Sequence, residues 1–110
     1  MKKYGILKQQ KGGGVTAAKE NVHAGHRQRM KTRFLSLGSR GFERHQLVEL
    51  LLFFGIPRKD TNELAHRLLD TFGSISALIG ADYNELVSVK GMTPNAATLC
   101  RLIDELMDEC

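Results

Sequence analysis

The sequence predicts an all-α fold built from about five to six short helices. Three observations lead there. Apolar residues recur at helical spacing, i, i+3, i+4 and i+7, through most of the chain after residue 25. Residues that start and stop helices punctuate these stretches, with Asp60, Asp82 and Thr93 ahead of them and Gly38, Gly55 and Gly73 behind. No run of alternating β-branched residues lies between turn signals, so nothing reads as a strand.

Taken in order, residues 1–22 read as a flexible basic leader, because Gly12-Gly13-Gly14 sits among Lys and Gln with no apolar period. Residues 23–110 are then the folded domain, a length that supports one core and not two. Met30, Phe34 and Leu37 mark one face of a helix from about His26, ended by Gly38. The next helix runs from about Glu43 to Phe54. It is apolar almost all round near its end, which places it centrally. Gly55 stops it, and Pro57 prevents its resumption. Asp60 reads as the N-cap of a third helix with Glu63 at N3, carrying Leu64, Ala65, Leu68, Leu69 and Phe72 inward as far as Gly73. Ser74 to Ile79 forms a short helix or turn. Asp82 and Glu85 repeat the capping logic ahead of Leu86, Val87 and Val89.

Thr93 caps the last helix and Pro94 takes N1, where its missing N–H is harmless. Ala96, Leu99, Cys100, Ile103, Leu106 and Met107 form the inward stripe of that helix. Its acidic end, Asp104, Glu105, Asp108 and Glu109, opposes the helix dipole and predicts either fraying or a chain that once continued.

Charge is distributed unevenly. Residues 1–33 hold nine basic groups against Glu20 alone, whereas the rest of the chain holds seven against eleven acidic ones. A basic arm on a mildly acidic body points to a polyanionic partner. Other classes fall away. The longest apolar run, Leu50 to Phe54, is far short of a bilayer span, and the N-terminal lysines lead into no apolar stretch. Cys100 and Cys110 have no partners at metal-ligand spacing and read as reduced thiols of a cytoplasmic protein. His23 and His26 lack a third ligand, so no metal is expected. His45 and His66 read as surface or packing residues. With no catalytic triad, dyad or cofactor motif in view, a non-enzymatic module is expected.

The most informative stretch is Val89-Lys90-Gly91-Met92-Thr93-Pro94-Asn95-Ala96-Ala97-Thr98-Leu99. A short helix, a tight turn and a second helix opening on small residues make a compact pair. Met92 points back between the helices, and Ala97 lets them approach. The amides of Gly91, Thr93 and the next helical turn converge unpaired at a helix N-terminus, which favours an anion. A nucleic-acid phosphate fits, and such contacts carry no base sequence.

This stretch resembles the helix-hairpin-helix motif: apolar, any, Gly, apolar, Gly, three of any kind, Ala, with an apolar position after. Val89, Gly91, Met92, Ala97 and Cys100 match. Thr93 stands where the motif has its second glycine, and its Cβ hinders the closest approach of a phosphate. Pro94, Asn95 and Ala96 occupy positions where many members carry Lys or Arg.

A wider resemblance runs from His26 to Leu106. Gly25-His26-Arg27-Gln28-Arg29, Glu49-Leu50-Leu51, Leu64-Ala65-His66-Arg67-Leu68-Leu69, Phe72-Gly73-Ser74 and Lys90-Gly91-Met92 resemble the N-terminal region of RadC-type DNA repair proteins. The resemblance implies tandem helix-hairpin-helix units, a SAM-like bundle, over Glu43–Phe72 and Asp82–Met107, joined by Ser74–Ile79. The first is degenerate, with Gly55-Ile56-Pro57-Arg58-Lys59 in place of a regular hairpin. It also implies a C-terminal metalloprotease-like domain whose His-x-His pair has no counterpart here. The expected function is non-sequence-specific binding of the DNA backbone by Lys90, Gly91, Met92, Thr93 and Asn95. Arg58 and Lys59 on the first turn assist, with Arg27, Arg29, Lys31 and Arg33 on the first helix. The rival expectation is a module that positions the metalloprotease-like domain or contacts repair and replication proteins.

Overall fold

The computed structural model describes residues 21–110, with side chains from residue 25 onward. The proposed leader, apart from its last two residues, and the side chain of His23 lie outside the described residues. Every regular element among those described is helical: α1 Asn21–Leu37, a 3-10 turn Gly38–Gly41, α2 Arg44–Phe53, α3 Asn62–Phe72, α4 Ile75–Ile79, α5 Tyr83–Val87 and α6 Pro94–Glu109. They form two units, dividing between Gly41 and Phe42.

In the first unit, α1 begins five residues ahead of the expected start at His26 and ends at Gly38, whose φ of +68° suits glycine. Of the expected stripe only Met30 is buried. Phe34 and Leu37 are exposed, so spacing alone overstated this face. Leu37 lies over the 3-10 turn, where a Cβ on Gly41 would come within 2.8 Å of its Cδ1.

In the second unit, α2 packs on α3, α5 packs on α6, and α4 touches both α3 and α6. Leu52, Leu68, Leu78 and Leu86 are its largest fully buried side chains, one from each of α2 to α5, and Ala96, Ala97 and Cys100 supply the α6 face. Burying a leucine contributes roughly 1.5–3 kcal/mol, so each of the four adds a sizeable share to the cohesion of the unit.

Local signals account for most boundaries. At the start of α2, Gln46 Oε1 accepts from the Glu43 amide at 2.9 Å. Gly73, at φ +89°, closes α3 by donating to the Leu69 carbonyl at 2.8 Å. Ser74 Oγ caps α4 by accepting from Ala77 N at 3.0 Å. The expected capping box of α5 is present, with Asp82 N donating to Glu85 Oε1 at 3.2 Å.

Two expectations need correction. The N-cap of α3 is Thr61, not Asp60. Asp60 Oδ1 instead accepts from Asn62 N at 3.0 Å, holding the chain one residue further out. α6 is helical to Glu109, and along it Arg101 pairs with Asp104 at 3.0 Å and Glu105 at 3.4 Å. Leu106 and Met107 belong to no inward face and are 55% and 64% exposed. The core contacts of α6 come from its N-terminal half, so the stripe ends where the smaller helices end.

Candidate nucleic-acid interface

The site is the turn between α5 and α6 with the elements around it. α5 ends at Val87, and Val89 is buried and accepts from Met92 N at 3.0 Å, which closes the turn. Gly91 sits at its apex with φ +94°, a left-handed conformation that residues with a Cβ rarely adopt. Met92 packs against the core as expected, and Ala97 is fully buried against the neighbouring helices.

Thr93 caps α6. Its Oγ1 accepts from Ala96 N at 3.1 Å and its carbonyl from Ala97 N at 2.9 Å. This corrects the expected set of unpaired amides: the first turn of α6 is partly satisfied by Thr93 itself. Among the described residues no hydrogen bond engages the amides of Gly91, Thr93 and Asn95. They lie at the mouth of a 16-residue helix, where the dipole favours negative charge. Lys90 and Asn95 are exposed beside them.

The first turn closes on the same end of α6. A Cβ on Gly55 would lie 2.7 Å from Ala96 Cα and 2.9 Å from Ala96 Cβ, so the α2–α3 turn touches α6 backbone to backbone. Gly55 is thus more than the stop signal that the sequence suggests, since its missing side chain lets the two turns meet. Arg58 and Lys59 are exposed on this turn. Arg58 takes the left-handed conformation, φ +65°, without being glycine.

One residue that sequence reasoning missed as a site residue is Arg67 on α3. Its Nη1 donates to the Lys90 carbonyl at 2.8 Å and lies 3.5 Å from where a Cβ of Gly91 would be. Its Nη2 is 3.8 Å from the Glu63 carboxylate. The stretch Leu64-Ala65-His66-Arg67 carries no local mark of a cation aimed at a turn more than twenty residues away. Only the packing of α3 beside that turn reveals it.

The basic residues of α1 belong to the first unit and are described within it. Arg27 and Lys31 are half-buried, and Arg29 and Arg33 are exposed, with Arg33 Nη2 donating to the Gly41 carbonyl at 3.2 Å. The structure therefore joins Lys90, Gly91, Met92, Thr93 and Asn95 in one turn, with the Arg58–Lys59 turn against the same helix end. His45 and His66 lie apart on α2 and α3, their rings stacked with centroids 4.2 Å apart, a packing arrangement as expected.

Comparison with known proteins adds a family. Residues 23–98 match the model of the UPF0758 N-terminal family. A UPF0758 protein of Fusobacterium nucleatum is 37% identical over 87 residues, 79% of this chain and 38% of that protein. Another, from Ruegeria pomeroyi, is 37% identical over 79 residues, 72% of this chain and 35% of that protein. The chain thus spans well under half the length of these relatives. No solved structure matches. With the family model covering most of the described residues and both relatives covered over more than two thirds of this chain, the chain belongs to the UPF0758 family, in the region of that family's N-terminal part.

Proposed function

We propose that this chain is a DNA-binding module that grips phosphates without reading bases, through two helix-hairpin-helix-like units. The observation that carries this reading is the set of open amides of Gly91, Thr93 and Asn95 at the mouth of α6, beside the exposed Lys90. A phosphate there receives backbone donors and the positive end of a helix dipole together, and neither depends on the base attached. Arg58 and Lys59 extend the positive surface along the first turn, and α1 carries the exposed Arg29 and Arg33, with Arg27 and Lys31 half-buried on its other side. Thr93 departs from the glycine of the motif, and by occupying the Ala96 amide it makes the grip weaker than that of a full motif.

The module acts by binding, with no cofactor, in the cytoplasm. A role in DNA repair, which the RadC-type resemblance implies, would draw on that binding. No helix among the described residues is long and apolar enough to cross a membrane.

Anisotropy titrations of labelled duplex, single-stranded and junction DNA at low salt test the proposal. With about three to five phosphates neutralised, log duplex affinity falls against log salt with a slope of about −2.7 to −4.5. Lys90→Glu weakens binding to every sequence alike. Absence of binding to all three forms at low salt overturns the reading.

A second reading is favoured by the outer face of α6, where Leu102, Leu106 and Met107 are at least half exposed. That face suits a protein partner or the remainder of a longer relative. A pull-down that survives nuclease treatment and is lost in Leu102→Glu supports it.

A further inference from the structure

Resting on the second reading above, in which the outer face of α6 meets a protein, we infer that its partner is a basic amphipathic helix. Leu99, Leu102 and Leu106 stand at i, i+3 and i+7 and form one stripe, on the side of α6 away from the buried Ala97 and Cys100. Leu99 is half-buried, whereas Leu102 and Leu106 are 50% and 55% exposed. Two neighbouring leucines open on a regular helix forgo burial that a second surface would supply.

The charge around the stripe selects that surface. From Leu102 to Cys110 the helix carries Asp104, Glu105, Asp108 and Glu109 and no basic residue. Glu105 and Glu109, one turn apart, fall along one edge of the stripe. Arg101 engages Asp104 at 3.0 Å and Glu105 at 3.4 Å, and the Glu105 side chain remains 68% exposed. Among the described residues no ion pair engages Asp108 or Glu109. This single sign argues against the other occupants. Nucleic acid and anionic lipid are repelled, and a second copy laid along α6 would bring like-charged edges together. A helix also offers no open backbone edge, so an extended segment finds no hydrogen-bonding partner there. A helical partner satisfies its own backbone, seats apolar side chains against Leu102 and Leu106, and sets Lys or Arg along the acidic edge.

The test titrates this chain into a fluorescently labelled peptide of leucine and lysine, about 18 residues long, with one apolar helical stripe. Two control peptides accompany it: a scramble of the same composition without the stripe, and a version with glutamate in place of lysine. The striped basic peptide should bind at about 10–100 μM in about 50 mM salt, and both controls about tenfold more weakly. Leu102→Glu decides between charge and seat. It adds a carboxylate, so attraction by charge alone would tighten binding, whereas loss of the apolar seat should weaken it about tenfold. Glu105→Lys combined with Glu109→Lys should weaken it as well. Equal binding of the scramble, or unchanged or tighter binding by Leu102→Glu, overturns the inference. A nuclease-resistant pull-down that is lost in Leu102→Glu, with no binding of the basic peptide, leaves the second reading standing and overturns this inference alone. A pull-down that nuclease abolishes removes the second reading, and this inference falls with it.

Discussion

Arg58 shows what a single residue can report. A non-glycine residue at φ +65° carries a steric cost of about 1 kcal/mol or a little more. Arg58→Gly relieves this cost but frees the unfolded chain, so it should raise unfolding stability by no more than about 1 kcal/mol in urea titrations. If the arginine is kept for its charge, the same variant binds DNA more weakly. Stability and affinity moving in opposite directions is an outcome that a structural role alone would not produce. Cys100 tests burial instead. Enclosure in the core pushes its thiol above the ordinary 9.0, against the opposing pull of the Arg101 guanidinium. A thiol whose folded pKa is raised contributes stability that is intact below the unfolded value and declines as pH rises toward the folded one. The wild type should thus lose more stability than Cys100→Ala between about pH 8 and pH 10, as read from paired urea midpoints. Under native conditions a thiol reagent should modify the exposed Cys110 quickly and the buried Cys100 slowly.

At the scale of elements, the meeting of the two turns is set by atoms that are missing. Gly55→Ala would drive a methyl group onto the Ala96 backbone, and overpacking of this kind costs about 1–3 kcal/mol. Adding Ala96→Gly should not rescue it, because the nearest atom is the Ala96 Cα and not its Cβ. Full rescue would show that the turns do not touch in this way. Thr93 offers the complementary change. Thr93→Gly removes the hydroxyl that occupies the Ala96 amide, at a stability cost of only a few tenths of a kcal/mol. It should tighten DNA binding by exposing a further donor. How much was legible in the sequence follows the range of the forces involved. The caps at Asp82 and Thr93 and the glycines that end α1 and α3 act within four residues, and they could be read directly. Thr61 could not be told from Asp60, because both residue types can cap, and Thr61 holds the position without a side-chain cap bond, its buried hydroxyl having no partner. Gly55 against Ala96, and Arg67 beside Gly91, join distant segments, and no local pattern encodes them.

Over the whole chain, charge has a direction. Within the second unit the cations Arg58, Lys59, Arg67 and Lys90 outnumber Asp60 and Glu63 at and beside the two turns, whereas the carboxylates of Asp108 and Glu109 close α6 about 20 Å further along its axis. A polyanion is drawn to the turn end and repelled from the other. The exposed Leu102, Leu106 and Met107 lie toward that acidic end, so the two proposed uses of the unit occupy different surfaces. Leu106→Lys should leave stability within about 0.5 kcal/mol, as thermal unfolding would record, and leave DNA affinity no weaker. A loss of affinity would place the nucleic acid on the wrong face of this account. The most direct measurement follows each backbone amide by 15N NMR while a short duplex is added at low salt. The largest shifts should fall on Gly91, Thr93 and Asn95, with smaller ones at Arg58 and Lys59. Shifts confined to the stretch from Leu102 to Met107, or none at all, would contradict it.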